Sequence, residues 1–288
     1  MMTTLKSFKT PLRYAGGKSR ACKKLDKYFP DFSNYKEFRE PFLGGGSVAL
    51  HITKNNPHLD IWVSDLYEPL VNFWQVLKMH GEDLTDQLLN EKFANDNPDL
   101  ARKLFNDSKS IINKPIHCSS FDRAVAFYIV NKCSFSGLTE GSSFSPQASD
   151  SNFSIRGIKK LRVYSEIISN WYISNFSYEY LMTEVDNKDV FMYLDPPYDI
   201  KDNLYGKNGS MHKGFDHDMF AVDCDNSMID MLISYNADQL VKDRFNTDQW
   251  HSAEFDLTYT MRSVGEYMKK QKKRKEIVLA NYKFNEEE

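Results

Sequence analysis

The apolar positions of this chain fall into short unbroken runs. Val190, Phe191, Met192, Tyr193 and Leu194 show no polar alternation, the pattern of a parallel strand covered on both faces. The segments KEFREPFLGGG, DIWVSDL, WYISNF, MIDMLISYN, FDLTYTM and KEIVLANY also carry strand-like runs, most of them separated by helix-like stretches. Strands alternating with helices predict an α/β fold with a mostly parallel sheet. The last two runs, Phe255 to Met261 and Glu276 to Tyr282, stand too close together for a packed crossover helix. They are expected to finish the sheet as an antiparallel hairpin.

Between Asp65 and Trp171 the period changes. PLVNFWQVLKMH and FDRAVAFYIVNK have helical spacing, and no stretch of the region reads as a strand. Residues 66–170 are therefore expected to form a helical insert, with residues 1–65 and 171–288 making up the sheet-bearing domain. The insert carries CSFSGLTEGSSFSPQASDSNFS, a Ser- and Gly-rich stretch with the character of a long functional or flexible loop.

A net charge of −3 and a pI near 6.2 exclude a wholesale polyanion binder, so any nucleic-acid contact must come from a local basic face. Two such stretches exist, YMKKQKKRK from Tyr267 and IRGIKKLR from Ile155. A solvated surface accounts for either as readily. Cys22, Cys118, Cys133 and Cys224 form no C-x-x-C pair, which favours reduced thiols and a cytoplasmic setting. No apolar run approaches membrane-spanning length and no leader-like segment is evident. His212, Asp216, His217, Asp218, Asp223 and Asp225 cluster in sequence, but their spacing fits no standard ligand pattern, and no metal is expected.

The buried run at Val190 stops at Asp195, Pro196, Pro197 and Tyr198. Prolines cannot extend a ladder and hold the chain extended. A carboxylate, a carbonyl and an aromatic face are thereby fixed at a strand's carboxyl end, the edge where open α/β sheets bind ligands. A plain Pro-Pro turn would give the same letters. Five of the 13 glycines lie in two short loops, RYAGGKSR and PFLGGGSV. The second follows a strand and precedes a helix, so Gly44, Gly45 and Gly46 permit a tight turn and a close backbone approach to a ligand. Asp65 ends the next strand roughly twenty residues on, where an acid can take ribose hydroxyls. Together these suggest a nucleoside-containing ligand. No G-x-x-x-x-G-K-[ST] phosphate cradle is present.

In order along the chain, YAGGK (Tyr14 to Lys18), EPFLGGGSV (Glu40 to Val48), SDLYEPLVNFW (Ser64 to Trp74), DPPY (Asp195 to Tyr198) and KEIVLANY resemble the N6-adenine DNA methyltransferases of the Dam, or D12, class. The resemblance spans almost the whole chain. It implies a Rossmann-like S-adenosylmethionine-dependent methyltransferase sheet with a helical DNA-recognition insert, acting on double-stranded DNA as a monomer or weak dimer in a bacterial or phage-infected cell. It implies that Tyr14, Ala15, Gly16, Gly17 and Lys18 line the methionine end of S-adenosylmethionine, with the Lys18 ammonium facing its carboxylate. Pro41, Phe42, Gly44, Gly45, Gly46 and Ser47 would pass beneath the cofactor, and Asp65 would take the ribose. In the family's acid-aromatic pair the aromatic matches Tyr178, to stack on the cofactor adenine, while the acid position reads Ser177.

The resemblance also gives the DPPY segment its chemistry. An exocyclic amine has its lone pair delocalised into the ring and needs acceptors that hold it beside the methyl donor. Asp195 and the Pro196 carbonyl would provide them, while Tyr198 stacks on a base swung out of the duplex. DPPY alone suits cytosine N4 as well; the motif order favours adenine. For the DNA, the resemblance points to Lys132, Ser134, Ser136 and Thr139. GATC readers of the family carry an arginine-containing hairpin here, whereas this chain has no arginine from Asn131 to Pro146. Arg156, Lys159, Lys160 and Arg162 are the substitute candidates, and a solvated helix face fits them equally. Lys269, Lys270, Lys272 and Lys273 are expected to touch phosphates, and the polar stretch after DPPY to close over substrate.

Overall fold

Every residue of the strand Val190–Leu194 is buried, and its side chains divide by parity. Val190, Met192 and Leu194 enter one hydrophobic cluster, while Phe191 and Tyr193 enter the other. That division is what a strand covered on both faces requires, and each such side chain contributes about 1.5–3 kcal/mol through burial. The computed structural model describes residues 9–14, 16–114, 117–135, 141–182, 189–198, 214–257 and 274–284.

This strand is β4 of a seven-stranded sheet with order β3-β2-β1-β4-β5-β7-β6. The others are β1 (Glu37–Glu40), β2 (Asp60–Ser64), β3 (Tyr172–Ser174), β5 (Asp230–Asn236), β6 (His251–Leu257) and β7 (Arg274–Ala280). The first five run parallel; β7 lies antiparallel between β5 and β6. The sheet is therefore mostly parallel with an antiparallel finish, a Rossmann-like methyltransferase arrangement. β6 starts four residues before the expected Phe255. His251, Ala253 and Phe255 are half-buried while Ser252, Glu254 and Asp256 are exposed, the alternation of an edge strand with one covered face.

Because β2 and β3 lie to one side of β1 while β4 lies to the other, the strand order reverses between β1 and β4. A crevice opens at the carboxyl ends of strands at such a switch point.

The helices, in chain order, begin with α1 (Cys22–Leu25) and α2 (Ser47–Asn55). Seven fall in or against the insert: α3 (Glu68–Met79), α4 (Gly81–Ala94), α5 (Pro98–Asn113), α6 (Ser120–Cys133), α7 (Pro146–Ser151), α8 (Ile155–Lys159) and α9 (Leu161–Ile167). α10 (Tyr178–Met182), α11 (His217–Asn226) and α12 (Gln239–Arg244) complete the set. Among the described residues of the insert the only bridge is an isolated one, Ser134 to Phe144. The apolar face of α3 locks the insert onto the sheet: Trp74 packs against Trp171 with ring centroids 5.8 Å apart, and Phe73 stacks on Tyr128. Phe105 and Phe127 belong to the same cluster as Phe38 and Phe191, so one core runs from sheet to insert. Among the described residues no helix is long and apolar enough to cross a membrane.

Candidate active site

The loop after β1 is shaped by two glycines in the left-handed region. Gly44 has φ +47°, and a Cβ there would lie 2.8 Å from the Tyr14 ring; Gly46 has φ +67°, and a Cβ there would lie 2.8 Å from the ring of Trp74. Neither conformation nor space suits another residue. YAGGK and PFLGGGSV, far apart in sequence, are thus pressed together through Tyr14. Ser19 and Ser47 hydroxyls meet at 2.8 Å beside them. Gly16 is in the left-handed region as well, and Gly17 is exposed; Ala15 lies outside the described residues.

Asp65 caps this loop from the end of β2. Its carboxylate accepts the Gly44 N–H at 2.9 Å and the Tyr67 N–H at 2.9 Å. Burial raises its pKa to about 6, opposed by these backbone donors. Beside it, the Asn175 amide donates to the Asp65 carbonyl at 2.6 Å, and Phe176 exchanges hydrogen bonds with the Ser64 hydroxyl through its own main chain. The Phe176 ring is 38% exposed. Tyr178, by contrast, is buried at the start of α10: its ring stacks on Phe42, contacts Phe215 and Phe220, and its hydroxyl donates to Asp223 at 2.8 Å. Of the two rings Phe176 is the more open, its centroid 4.3 Å from that of the exposed Tyr180 ring. Ser177 lies between them, half-buried.

At the end of β4 the DPPY segment meets Lys18. The Lys18 ammonium, 3% exposed, donates to Asp195 Oδ1 at 2.7 Å and to the Tyr198 hydroxyl at 2.6 Å, and sits 5.0 Å from the Tyr198 ring centroid. Tyr198 donates onward to Glu276 Oε2 at 2.7 Å. Burial raises Asp195 to about 6, against the lowering by Lys18. Pro196 is buried and Pro197 half-buried behind them. Two acids that lie in the EPFLGGGSV and KEIVLANY segments, and to which no role was assigned there, complete the surroundings. Glu40, at the end of β1, accepts the Ala49 N–H at 2.7 Å, and burial pushes its pKa well above the usual carboxylate range, with Asp195 and Asp65 adding to the rise. Glu276 leads the apolar part of β7 and is 1% exposed. The signal for both was an acid inside or against an otherwise buried strand.

A glycine loop, a capped carboxylate, an open aromatic ring and a rigid acid-proline edge thus converge on one crevice. The family model described as "D12 class N6 adenine-specific DNA methyltransferase" matches residues 14–261. The chain belongs to the D12 class of adenine-specific DNA methyltransferases. It is 24% identical over 282 residues to the type II methyltransferase M1.LlaDCHI of Lactococcus lactis subsp. cremoris, covering 94% of each chain. It is 25% identical over 289 residues to the DNA adenine methylase of Haemophilus influenzae, covering 93% of this chain and 91% of that one. With the type II methyltransferase M.MjaIII of Methanocaldococcus jannaschii it shares 26% over 197 residues, 65% of this chain and 68% of the relative.

In this D12-class enzyme the polar candidates of the insert separate by environment. Ser134 is fully buried: its hydroxyl donates to the Asn131 carbonyl, and its carbonyl accepts Arg13 Nη1 at 2.5 Å. The side chain of Ser134, expected to face DNA, faces the interior instead. Lys132 is half-buried against the Tyr128 ring, with burial and the neighbouring Arg13 lowering its pKa to about 7; this weakens it as a phosphate partner. The Arg162 guanidinium is held by Glu82 and by Asp86, the latter at 2.5 Å, so two carboxylates neutralise it. Arg156 and Lys159 stand exposed on α8, and Lys160 is half-buried at its end. Ser136 and Thr139, and Lys269, Lys270, Lys272 and Lys273, lie outside the described residues.

The acids around Asp216 have separate structural tasks. Asp216 caps α11, Asp218 pairs with Arg244, Asp223 holds Tyr178, and Asp225 accepts from Trp250 and Gln249. His217 meets the Tyr235 hydroxyl at 2.8 Å. His212 and the rest of the stretch immediately after DPPY lie outside the described residues.

Proposed function

We propose that this DNA adenine methyltransferase takes its methyl group from S-adenosylmethionine and delivers it to N6 of an adenine swung out of duplex DNA, within a short sequence read by the insert at residues 66–170. The observation that carries the reading is the adjacency of two edges at the switch point, the Gly44–Gly46 loop after β1 and Asp195 with the Pro196 carbonyl after β4.

The residues present suit such a donor. Asp65 retains lone pairs beyond those its backbone donors use, and these can accept ribose hydroxyls. Phe176 offers the open face for an adenine ring, the part first expected of Tyr178. Lys18 lies where a methionine carboxylate would share its ammonium with Asp195. When bound, the donor supplies an electrophilic methyl group; all else falls to the chain. Asp195 and the Pro196 carbonyl accept the N6 hydrogens and orient the nitrogen lone pair. Tyr198, anchored by Lys18 and Glu276, presents a ring on which the extruded base stacks.

Duplex DNA incubated with methyl-labelled S-adenosylmethionine and digested to nucleosides tests this. Label in N6-methyldeoxyadenosine is expected. Label in N4-methyldeoxycytidine, or in no nucleoside, overturns it.

A further inference from the structure

Among the described residues Glu276 is the most enclosed acid that faces the DPPY segment, and neither glycine loop nor DPPY contains it. Its Oε2 accepts from the Tyr198 hydroxyl at 2.7 Å and from the Ser234 hydroxyl at 3.2 Å, and it stands 3.8 Å from Lys18 Nζ. Lys18 is in turn 2.7 Å from Asp195. One buried ammonium thus lies between two carboxylates. With all three ionised, the cluster carries one net negative charge.

The charge count gives Glu276 a task. Were Asp195 and Lys18 alone, protonating Asp195 would leave the buried ammonium with no anion of the protein's own, dependent on the carboxylate the donor brings, an arrangement disfavoured away from water. With Glu276 present, Lys18 keeps a counter-ion whether Asp195 is charged or neutral. We propose that Glu276 is a positioning residue for methyl transfer, whose charge retains Lys18 so that Asp195 can take the proton the amine must lose, and whose hydrogen bond fixes the Tyr198 ring. The inference rests on the function proposed above.

The step balances. The N6 lone pair forms a bond to the methyl carbon as the carbon–sulfur bond breaks, its electron pair going to sulfur. An N6–H bond then breaks, its pair remaining on nitrogen and its proton passing to Asp195. A sulfonium and a singly negative cluster become a neutral thioether and a neutral cluster, so no unpaired charge remains in the site.

Among the described residues, the charged and titratable groups facing Asp195 are Lys18, Tyr198, Glu276 on β7, Glu40 on β1 and Tyr193 on β4. Glu276 raises Asp195 and Lys18 lowers it, so losing the Glu276 charge moves the Asp195 titration downward.

The test is the Asp195 carboxyl titration, read by isotope-edited infrared spectroscopy of the cofactor-free protein and assigned by subtracting the Asp195→Asn spectrum. Glu276→Gln keeps an acceptor for Tyr198. It is expected to lower the Asp195 midpoint by about one pH unit and to slow single-turnover methyl transfer at least tenfold, with DNA affinity changed less than about twofold. Lys18→Met compared with the Lys18→Met, Glu276→Gln double variant measures the same coupling in a background with no uncompensated ammonium, which removes dependence on the single variant's folding. An unmoved midpoint in either comparison, or a Glu276→Gln transfer rate within threefold of wild type, overturns the inference. Failure of the wild-type protein to methylate adenine would instead overturn the proposed function.

Discussion

Asn131, at the end of α6, grips the main chain of Arg13 at both of its polar groups. Its Oδ1 accepts the Arg13 N–H at 2.9 Å and its Nδ2 donates to the Arg13 carbonyl at 2.7 Å. The side chain is 1% exposed. Through this pair the insert sets the position of the segment that carries Tyr14 and Lys18, and so couples the insert to the proposed donor site. Asn131→Ala leaves two main-chain groups unsatisfied, at about 1–3 kcal/mol each. Urea denaturation should show a loss of that order, and calorimetry a raised dissociation constant for S-adenosylmethionine. Unchanged values of both would remove the coupling.

Phe176 and Tyr178 should behave as opposites. Phe176→Ala is expected to weaken S-adenosylmethionine binding roughly tenfold while costing under about 1.5 kcal/mol of stability, because the ring is partly open. Tyr178→Ala removes a packed ring from the Phe42 and Phe220 cluster and should destabilise by about 3–5 kcal/mol. Paired calorimetry and denaturation decide it; the reverse pattern would restore Tyr178 as the stacking residue.

The basic residues of the insert divide in the same testable way. Neutralising exposed Arg156 and Lys159 together should lower the log–log salt slope of DNA binding by about 1.8, near 0.9 for each phosphate contact. Arg162→Ala should leave the slope alone, since Glu82 and Asp86 already hold that guanidinium. Fluorescence anisotropy over a salt series reads both, and a slope that responds only to Arg162 would contradict the assignment.

Asp195 gives stability a pH dependence of definite sign. Its folded pKa of about 6 lies above the ordinary 3.8, so the unfolded chain releases this proton first as pH rises. The folded state loses ground between pH 4 and pH 6, by on the order of 2–3 kcal/mol, and the loss is complete above that window. Asp195→Asn lacks this titration, so the stability difference between variant and wild type should shift in the variant's favour across the same window. Chemical denaturation at pH 4, 5, 6 and 7 measures it; a difference independent of pH would show that the carboxyl titrates as in water.

Much of this site was legible in the sequence because its signals are local. An apolar run with no alternation marks β4, and two prolines mark its end. Clustered glycines mark a loop where only small residues fit, although the rings that need the space, those of Tyr14 and Trp74, come from elsewhere. What was not legible depends on partners distant in the chain. Arg162 reads as a free cation until the fold brings Glu82 and Asp86 to it across about eighty residues. Ser134 reads as a loop serine until its bridge to Phe144 turns it inward. Tyr178 reads as an open stacking ring until the fold packs it against Phe42 and Phe220 after β3 ends at Ser174, opposite Ser64, a register set by β2. Glu276 comes to face Tyr198 and Lys18 only once β7 pairs with β5 as well as with its hairpin partner β6, and the β5 pairing is not announced by the sequence.

In the proposed function Asp195 serves the target amine from the carboxyl end of β4 rather than holding the donor. The direct measurement is Asp195→Ala, with S-adenosylmethionine affinity read by calorimetry and transfer read as N6-methyldeoxyadenosine in digested DNA. The predicted result is transfer lost with donor affinity within about tenfold of wild type. Donor binding abolished while bound donor is still turned over at the wild-type rate would contradict it.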